Sequence, residues 1–380
     1  MHFSTYAGVA TALAVAGFVL TFSSIPMNYA SFTLPLTPVA SLEQLGSTTP
    51  LHTQIESLLP DTVLILPGLE ATSTATTSPS LKDKLEDSSA TTTASVVLPI
   101  HQEELARERL RDASVNILCT GNEGQIRGIS GSGVIIDPRG IILTVAHVGQ
   151  YHLLFDYPEP DSVSCVVRTG SPTTHAYLAE PIFISQSWIE ENPTTLITKN
   201  PKGSGEHDFA VLAITQALPG SSLPAMFPFV PLSFDDPEKG AEVVIAAYPA
   251  QELESDQIRS SLVITLVTTT VKERYTFETT SVDLISLGGS EAAQTGSSGG
   301  GIMTMDGKLV GIITTSTTEG PYAARNLHAI TPNHIRRSFA EDTRADFDAF
   351  IAESHPSLLV STYEEIAEHL RSVLIGALES

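Results

Sequence analysis

"GSGVIIDPRGIILTVAHV", residues 131–148, decides how the rest of the chain is read. It contains two brief runs dense in Ile and Val, "GSGVIID" and "GIILTVA", parted by "DPRG" at Asp137–Gly140. β-Branched side chains suit a pleated, half-buried surface, and Asp, Pro and Gly are turn formers. The stretch therefore predicts two short strands around a tight turn. The same texture recurs in "SVNILC", "SVSCVVR", "DFAVLAI", "AEVVIAAY", "SSLVITLVTTTV", "ERYTFETTS" and "KLVGIITTS". Many short strands without long helices between them imply an all-β barrel or sandwich.

The flanks of this region read differently. "HQEELARERLRDA" (His101–Ala113) has helical composition and opens the folded part. "EDTRADFDAFIAES" and "STYEEIAEHLRSVLIGAL" space apolar residues at three and four positions, the pattern of amphipathic C-terminal helices over residues 341–380. These acidic helices are expected to pack on the domain or mediate self-association. Residues 101–340 form the expected globular domain, with no internal repeat and no room for a second domain after Ala340.

Toward the N-terminus, Tyr6–Phe22 is an uncharged apolar run of 17 residues. Signal-peptide cores are usually shorter, and a spanning helix needs about 20 residues. No Lys or Arg precedes Lys82, so charge bias gives no orientation. Residues 1–30 read as a signal peptide or a membrane anchor, residues 6–22 being the tether in the second case. Export follows from either. Residues 31–100 are dominated by Ser, Thr, Pro and Ala, as in "ATSTATTSPS", and bury too little apolar surface to offset chain entropy. They predict a disordered linker.

The 380 residues carry a formal net charge of -23, which argues against a nucleic-acid partner, since phosphate binding needs clustered Lys and Arg. Two cysteines, Cys119 and Cys165, stand 46 positions apart. No C-x-x-C or His-rich spacing accompanies them, and His152, His175, His328, His334, His355 and His369 are scattered. No metal site and no cofactor is expected. The cysteines are either two buried thiols or one disulfide, which loop-closure entropy values at about 4 kcal/mol.

Chemistry points to three segments. "TVAHV" places His147 directly after a strand-like run. "HDFAVLAI" places Asp208 at the head of another. "QTGSSGGGI" (Gln294–Ile302) sets Ser298 among glycines. By composition alone that last stretch is flexible linker. Its surroundings favour a nucleophile turn. A hydroxyl needs a base to take its proton, and the base needs an acceptor that fixes its tautomer and stabilises its cation. An oxyanion formed by attack on a carbonyl needs backbone N–H donors in a turn whose conformations glycine accepts cheaply. Gly296 and Ser298 are spaced to supply both amides.

"GSGVIIDPRGIILTVAHV", "HDFAVLAI", "GSSGGGI" and "LVGIITTS" resemble the trypsin-like serine proteases, closest to the HtrA/Deg type. "HAITPNHIRR" (His328–Arg337) is similar to the segment that closes their protease domain. The resemblance spans about residues 106–340, with His147, Asp208 and Ser298 in the family's order. It implies two six-stranded antiparallel barrels with the triad in the cleft between them, and a serine endopeptidase acting on polypeptides. Ser298 would be the nucleophile, His147 the general base and acid, and Asp208 its orienting partner. The amides of Gly296 and Ser298 would form the oxyanion hole.

Departures from the family's pattern carry expectations too. Ser297 stands where digestive relatives carry an Asp that pairs with a new N-terminus, so no such activation is expected. Gly301 replaces the usual proline and loosens the expected oxyanion turn. No PDZ domain follows. The resemblance puts Ala292 at the substrate-pocket floor and Thr314, Thr315 and Ser316 on its wall, with Thr314 placed to hydrogen-bond Asp208. Small or medium aliphatic P1 residues are expected. Two other readings stand beside this one: a catalytically inactive scaffold on the same fold, and an α/β-hydrolase esterase using Asp342 and His355 after the G-x-S-x-G serine.

Overall fold

The computed structural model describes residues 99–121, 126–198, 205–277, 281–316, 320–353 and 355–380. The apolar run at 6–22 and nearly all of the expected linker at 31–100 lie outside the described residues, as do the side chains of Thr315 and Ser316.

Helix α1 (Pro99–Ala113) enters first, and six strands follow: β1 (Ser114–Gly121), β2 (Ile129–Asp137), β3 (Ile141–Thr144), β4 (Val163–Thr169), β5 (His175–Ile184) and β6 (Ala210–Ala217). They close into a barrel in the order β1-β2-β3-β6-β5-β4, every pairing antiparallel. The short helix α2 (Ala146–Gly149) follows β3, and α3 (Gln186–Glu191) follows β5. The "DPRG" turn is as read: Gly140 N donates to Asp137 O (3.0 Å), and Arg139 donates to the Asp137 carboxylate (2.7 Å). All four residues of β3 are buried, so both faces of this strand are covered. That explains its unbroken Ile-Ile-Leu run.

Seven strands make the second sheet: β7 (Glu242–Ala247), β8 (Thr265–Thr270), β9 (Glu273–Tyr275), β10 (Leu284–Gly288), β11 (Gly301–Thr304), β12 (Leu309–Ser316) and β13 (Leu327–Ile330). Helix α4 (Ser255–Ser260) lies between β7 and β8. The order is β8-β7-β11-β12-β13-β10-β9, so β8 and β9 are its two edges. Only Val271 and Lys272 separate them. Val271 N donates to Ala241 O (3.0 Å), while Lys272 N donates to Ser286 O (2.7 Å). The two edges are thus halves of one bent strand, and the sheet curls back on itself through that bend. The double-barrel expectation holds in this form.

Strands β5, β10, β11 and β13 are absent from the strand reading of the sequence. Each is short, or broken by Pro181 in the case of β5, where register shifts on both sides of that residue absorb the missing N–H. "SSLVITLVTTTV" is strand only from Thr265; Ser260 ends α4 and Leu262 is buried in a loop.

Helices α5 (Pro332–Thr343), α6 (Phe347–Glu353) and α7 (Pro356–Leu378) close the chain. Thr331 caps α5 by accepting from His334 N (3.1 Å), with Pro332 at the first turn. In α7, Leu359, Tyr363, Ala367, Leu370, Leu374 and Leu378 form one buried stripe at three- and four-residue spacing. Tyr363 Oη accepts from Ile184 N (2.9 Å), and Arg371 donates to Leu153 O (2.7 Å), which pins α7 to the first barrel. No helix among the described residues is long and apolar enough to cross a membrane.

Candidate active site

The site starts from the end of β3. Thr144 turns its hydroxyl onto Ser132 O (2.7 Å), and the chain then coils into α2, which carries His147. Asp208 precedes β6, the strand that pairs with β3, so the two residues arrive side by side. Asp208 is buried and accepts three hydrogen bonds. His147 N reaches Oδ1 (3.0 Å), His147 Nδ1 reaches Oδ2 (2.8 Å), and Thr314 Oγ1 also reaches Oδ2 (2.7 Å). With the carboxylate ionised, Nδ1 carries the proton and Nε2 presents its lone pair. Burial disfavours the His147 imidazolium, but the charge and hydrogen bond of Asp208 outweigh it, holding the pKa above the ordinary 6.5. Gln150 Nε2 donates to His147 O (3.0 Å) and steadies the turn.

Ser298 comes from the second barrel, in the turn before β11. Ser297 N donates to Gln294 O (3.1 Å) and Gly300 N to Ser297 O (2.8 Å), while Gly299 N reaches Ile313 O on β12 (2.7 Å). Two glycines make this path available. Gly296 (φ +99°) and Gly299 (φ +85°) lie in the left-handed region. A Cβ on Gly296 would fall 2.7 Å from Tyr248 O, and one on Gly299 would fall 2.0 Å from Ser132 O.

Ser132 joins the two halves, and the sequence reading passed it over. Its N–H donates to Ser298 O (2.8 Å) and its hydroxyl to Gly296 O (2.8 Å), and the same hydroxyl accepts from Tyr248 N (2.9 Å). The signal was a lone serine between two glycines at the head of an apolar strand. Its meaning depended on a partner 164 residues away.

The amides of Gly296 and Ser298 donate to no protein acceptor among the described residues, the condition an oxyanion site requires. Ser298 Oγ makes no hydrogen bond to His147. Nucleophile–base contacts are often long before substrate arrives and tighten in the complex. Ser297 is buried, and its hydroxyl has no partner among the described residues. Gly301 has a packing reason to be glycine: a Cβ there would meet Val134 at 2.6 Å and Leu110 of α1 at 3.1 Å. Helix α1 occupies the room a larger residue would need.

Of the residues expected to line the pocket, Ala292 is fully buried in the core of the second barrel, and Thr314 commits its hydroxyl to Asp208. Thr315 and Ser316 complete β12. His207 bonds Ser338 Oγ (2.6 Å), a neighbour of the site and not a member of it. The esterase partners are engaged elsewhere. Asp342 accepts from Ser185, Gln186 and Ser187 at the start of α3, and His355 caps α7.

Residues 131–312 match the description of a trypsin-like peptidase domain. This region is a trypsin-like serine protease domain. The protein is a serine endopeptidase, and its substrates are polypeptides. Among solved structures, the active form of the Rv3671c protease from M. tuberculosis is similar at 15% identity and a TM-score of 0.40, over 64% of this chain and 87% of that one. The serine endoprotease from Yersinia pestis is similar at 19% identity and a TM-score of 0.41, over 63% and 66%. No curated protein matches the chain.

The cysteines resolve to one of the two alternatives. Cys119 on β1 and Cys165 on β4 are direct cross-strand partners and form a disulfide. The scatter of histidines along the chain concealed one neighbour: the ring of His152 lies beside this pair.

Proposed function

We propose that this protease cleaves peptide bonds through an acyl-enzyme on Ser298. Ser298 Oγ attacks the scissile carbonyl carbon and passes its proton to His147 Nε2. Asp208 holds the resulting imidazolium. The oxyanion meets the amides of Gly296 and Ser298. The amine leaves with the proton from His147, and water repeats the sequence to release the acid. One observation carries this reading: Asp208 takes both the backbone and ring donors of His147 and the Thr314 hydroxyl, while Ser132 ties the Ser298 turn to the same barrel.

An uncharged Ala292 at the expected pocket floor favours small or medium aliphatic P1 residues; rapid cleavage after Lys or Arg with none after Val opposes that choice. Residues 6–22 send the protein out of the cytoplasm, as a cleaved signal or a tether, and the disulfide suits an oxidising compartment. Recovery of the folded domain in the cytoplasm of its own cell would contradict export.

A fluorophosphonate probe tests the mechanism against the scaffold alternative. The native chain is expected to be labelled at Ser298, and Ser298→Ala to lose both labelling and peptidase activity. A folded native chain that resists the probe and cleaves no peptide would establish the scaffold instead.

A further inference from the structure

A second cluster of reactive side chains lies in the first barrel, apart from the triad. Cys119 and Cys165 face each other across β1 and β4, and His152 sits in the 3₁₀ turn Gln150–Leu154 that follows α2. One donor atom from each of the three lies within 4.8 Å of the other two. Thiolates on tetrahedral zinc, at about 2.3 Å from the metal, stand roughly 3.8 Å apart, so the two sulfurs, bonded to each other here, have to part to that spacing beside His152.

The imidazole is set as a ligand would be. His152 Nδ1 bonds Gly149 O (3.2 Å), which places the proton on Nδ1 and leaves the lone pair on Nε2. Nε2 is buried and has no hydrogen-bond partner among the described residues. Buried polar atoms are rarely left in that state. Metal-bound histidines characteristically donate their other ring N–H to a backbone carbonyl, which is the arrangement found here.

We propose that Cys119, Cys165 and His152 form a zinc(II) site that exists only while the disulfide is open. Two thiolates and one imidazole suit zinc, with the fourth position left to water or another small ligand. Disulfide and metal are then exclusive states of one site. The chemistry balances with a thiol reductant: two external thiols are oxidised to their disulfide as the Cys119–Cys165 bond takes up two electrons and two protons. Zinc then binds as both cysteines release those protons. The site also adjoins catalysis, because Gly149, which accepts from His152, ends the helix that carries His147.

The test uses the full chain carrying Ser298→Ala to prevent self-cleavage. It is reduced with a phosphine under anaerobic conditions, with both thiols confirmed by thiol titration. Cobalt(II) is then added as the probe. The expected result is one cobalt per chain with a near-ultraviolet thiolate-to-cobalt band, displaced by zinc and absent from the oxidised protein. His152→Gln is expected to weaken cobalt binding by about 10-fold or more, whereas His175→Gln at an exposed position leaves it unchanged. The proposal is overturned if both thiols titrate and no band forms, or if His152→Gln binds cobalt as tightly as the parent. Equal binding by the oxidised protein, or a reduced chain that stays unfolded at saturating zinc, overturns it as well.

Discussion

The two barrels bring unequal halves to the site. The first closes by hydrogen bonds around its whole circumference, is stapled by Cys119–Cys165, and presents the His147–Asp208 pair already joined. The second closes through a bend at Val271–Lys272 and offers Ser298 with its hydroxyl not bonded to the base. In the proposed mechanism the base is fixed before substrate arrives, and the nucleophile and oxyanion donors are completed by substrate. Pre-organisation is thus concentrated where a buried charge must be balanced, since an ionised carboxylate without donors is costly to bury.

Substitutions separate the halves, and the largest effect belongs to the first. Asp208→Asn keeps the shape but presents an amide to His147, favouring the wrong tautomer. A loss in kcat on the order of 10⁴-fold is expected, with the protein still folded. Circular dichroism beside kinetics checks both parts, and a loss under 10-fold would mean that His147 is oriented by something else. Ser132→Ala strikes the joint between the halves. It strands Gly296 O and Tyr248 N, and is expected to cost about 1–3 kcal/mol of stability in denaturant melts while lowering kcat more than it raises KM.

Thr314→Val has a smaller effect. It removes one of three donors from Asp208, with a fall in kcat/KM of roughly 2- to 12-fold, from a net hydrogen bond of about 0.5–1.5 kcal/mol. It also shifts the pH profile. Catalysis needs neutral His147, so activity is lost as pH falls through a midpoint above 6.5. A carboxylate with fewer donors holds the imidazolium more tightly, so Thr314→Val moves that limb upward. Stability runs the other way. The contribution of His147 is full below 6.5, the unfolded value, and fades as pH rises through the higher folded value. Ser297→Ala is expected to have the least effect. The hydroxyl has no partner, so both kcat/KM and stability should stay close to native; a large loss would reveal a role that appears only with substrate bound.

The sequence disclosed chemistry more readily than connection. The placement of His147, Asp208 and Ser298, and the pairing of the first two, were legible because each sits at a recognisable boundary, after β3, before β6 and in a glycine turn. The paired strands rich in Ile and Val gave the barrels away in the same manner. Strands β11 and β13 were not legible, since four residues such as "GIMT" or "LHAI" carry too little periodicity to separate strand from loop. Ser132 and His152 were missed for a different reason. Each acquires its meaning from a partner that only the folded chain supplies, Gly296 O for the first and the Cys119–Cys165 pair for the second. Gly301 looked like a loosened turn, and became intelligible once Leu110 of α1 was seen against it.

The most direct test of a preset base and a substrate-completed nucleophile is a crystal structure of the protein bearing a peptidyl phosphonate. The account predicts a bond from Ser298 Oγ to phosphorus and His147 Nε2 within hydrogen-bond reach of the adduct. The phosphoryl oxygen should lie on the amides of Gly296 and Ser298, with the His147–Asp208 contact unchanged. An adduct whose oxygen points away from both amides, or a His147 ring that has left Asp208 to reach it, would contradict that division.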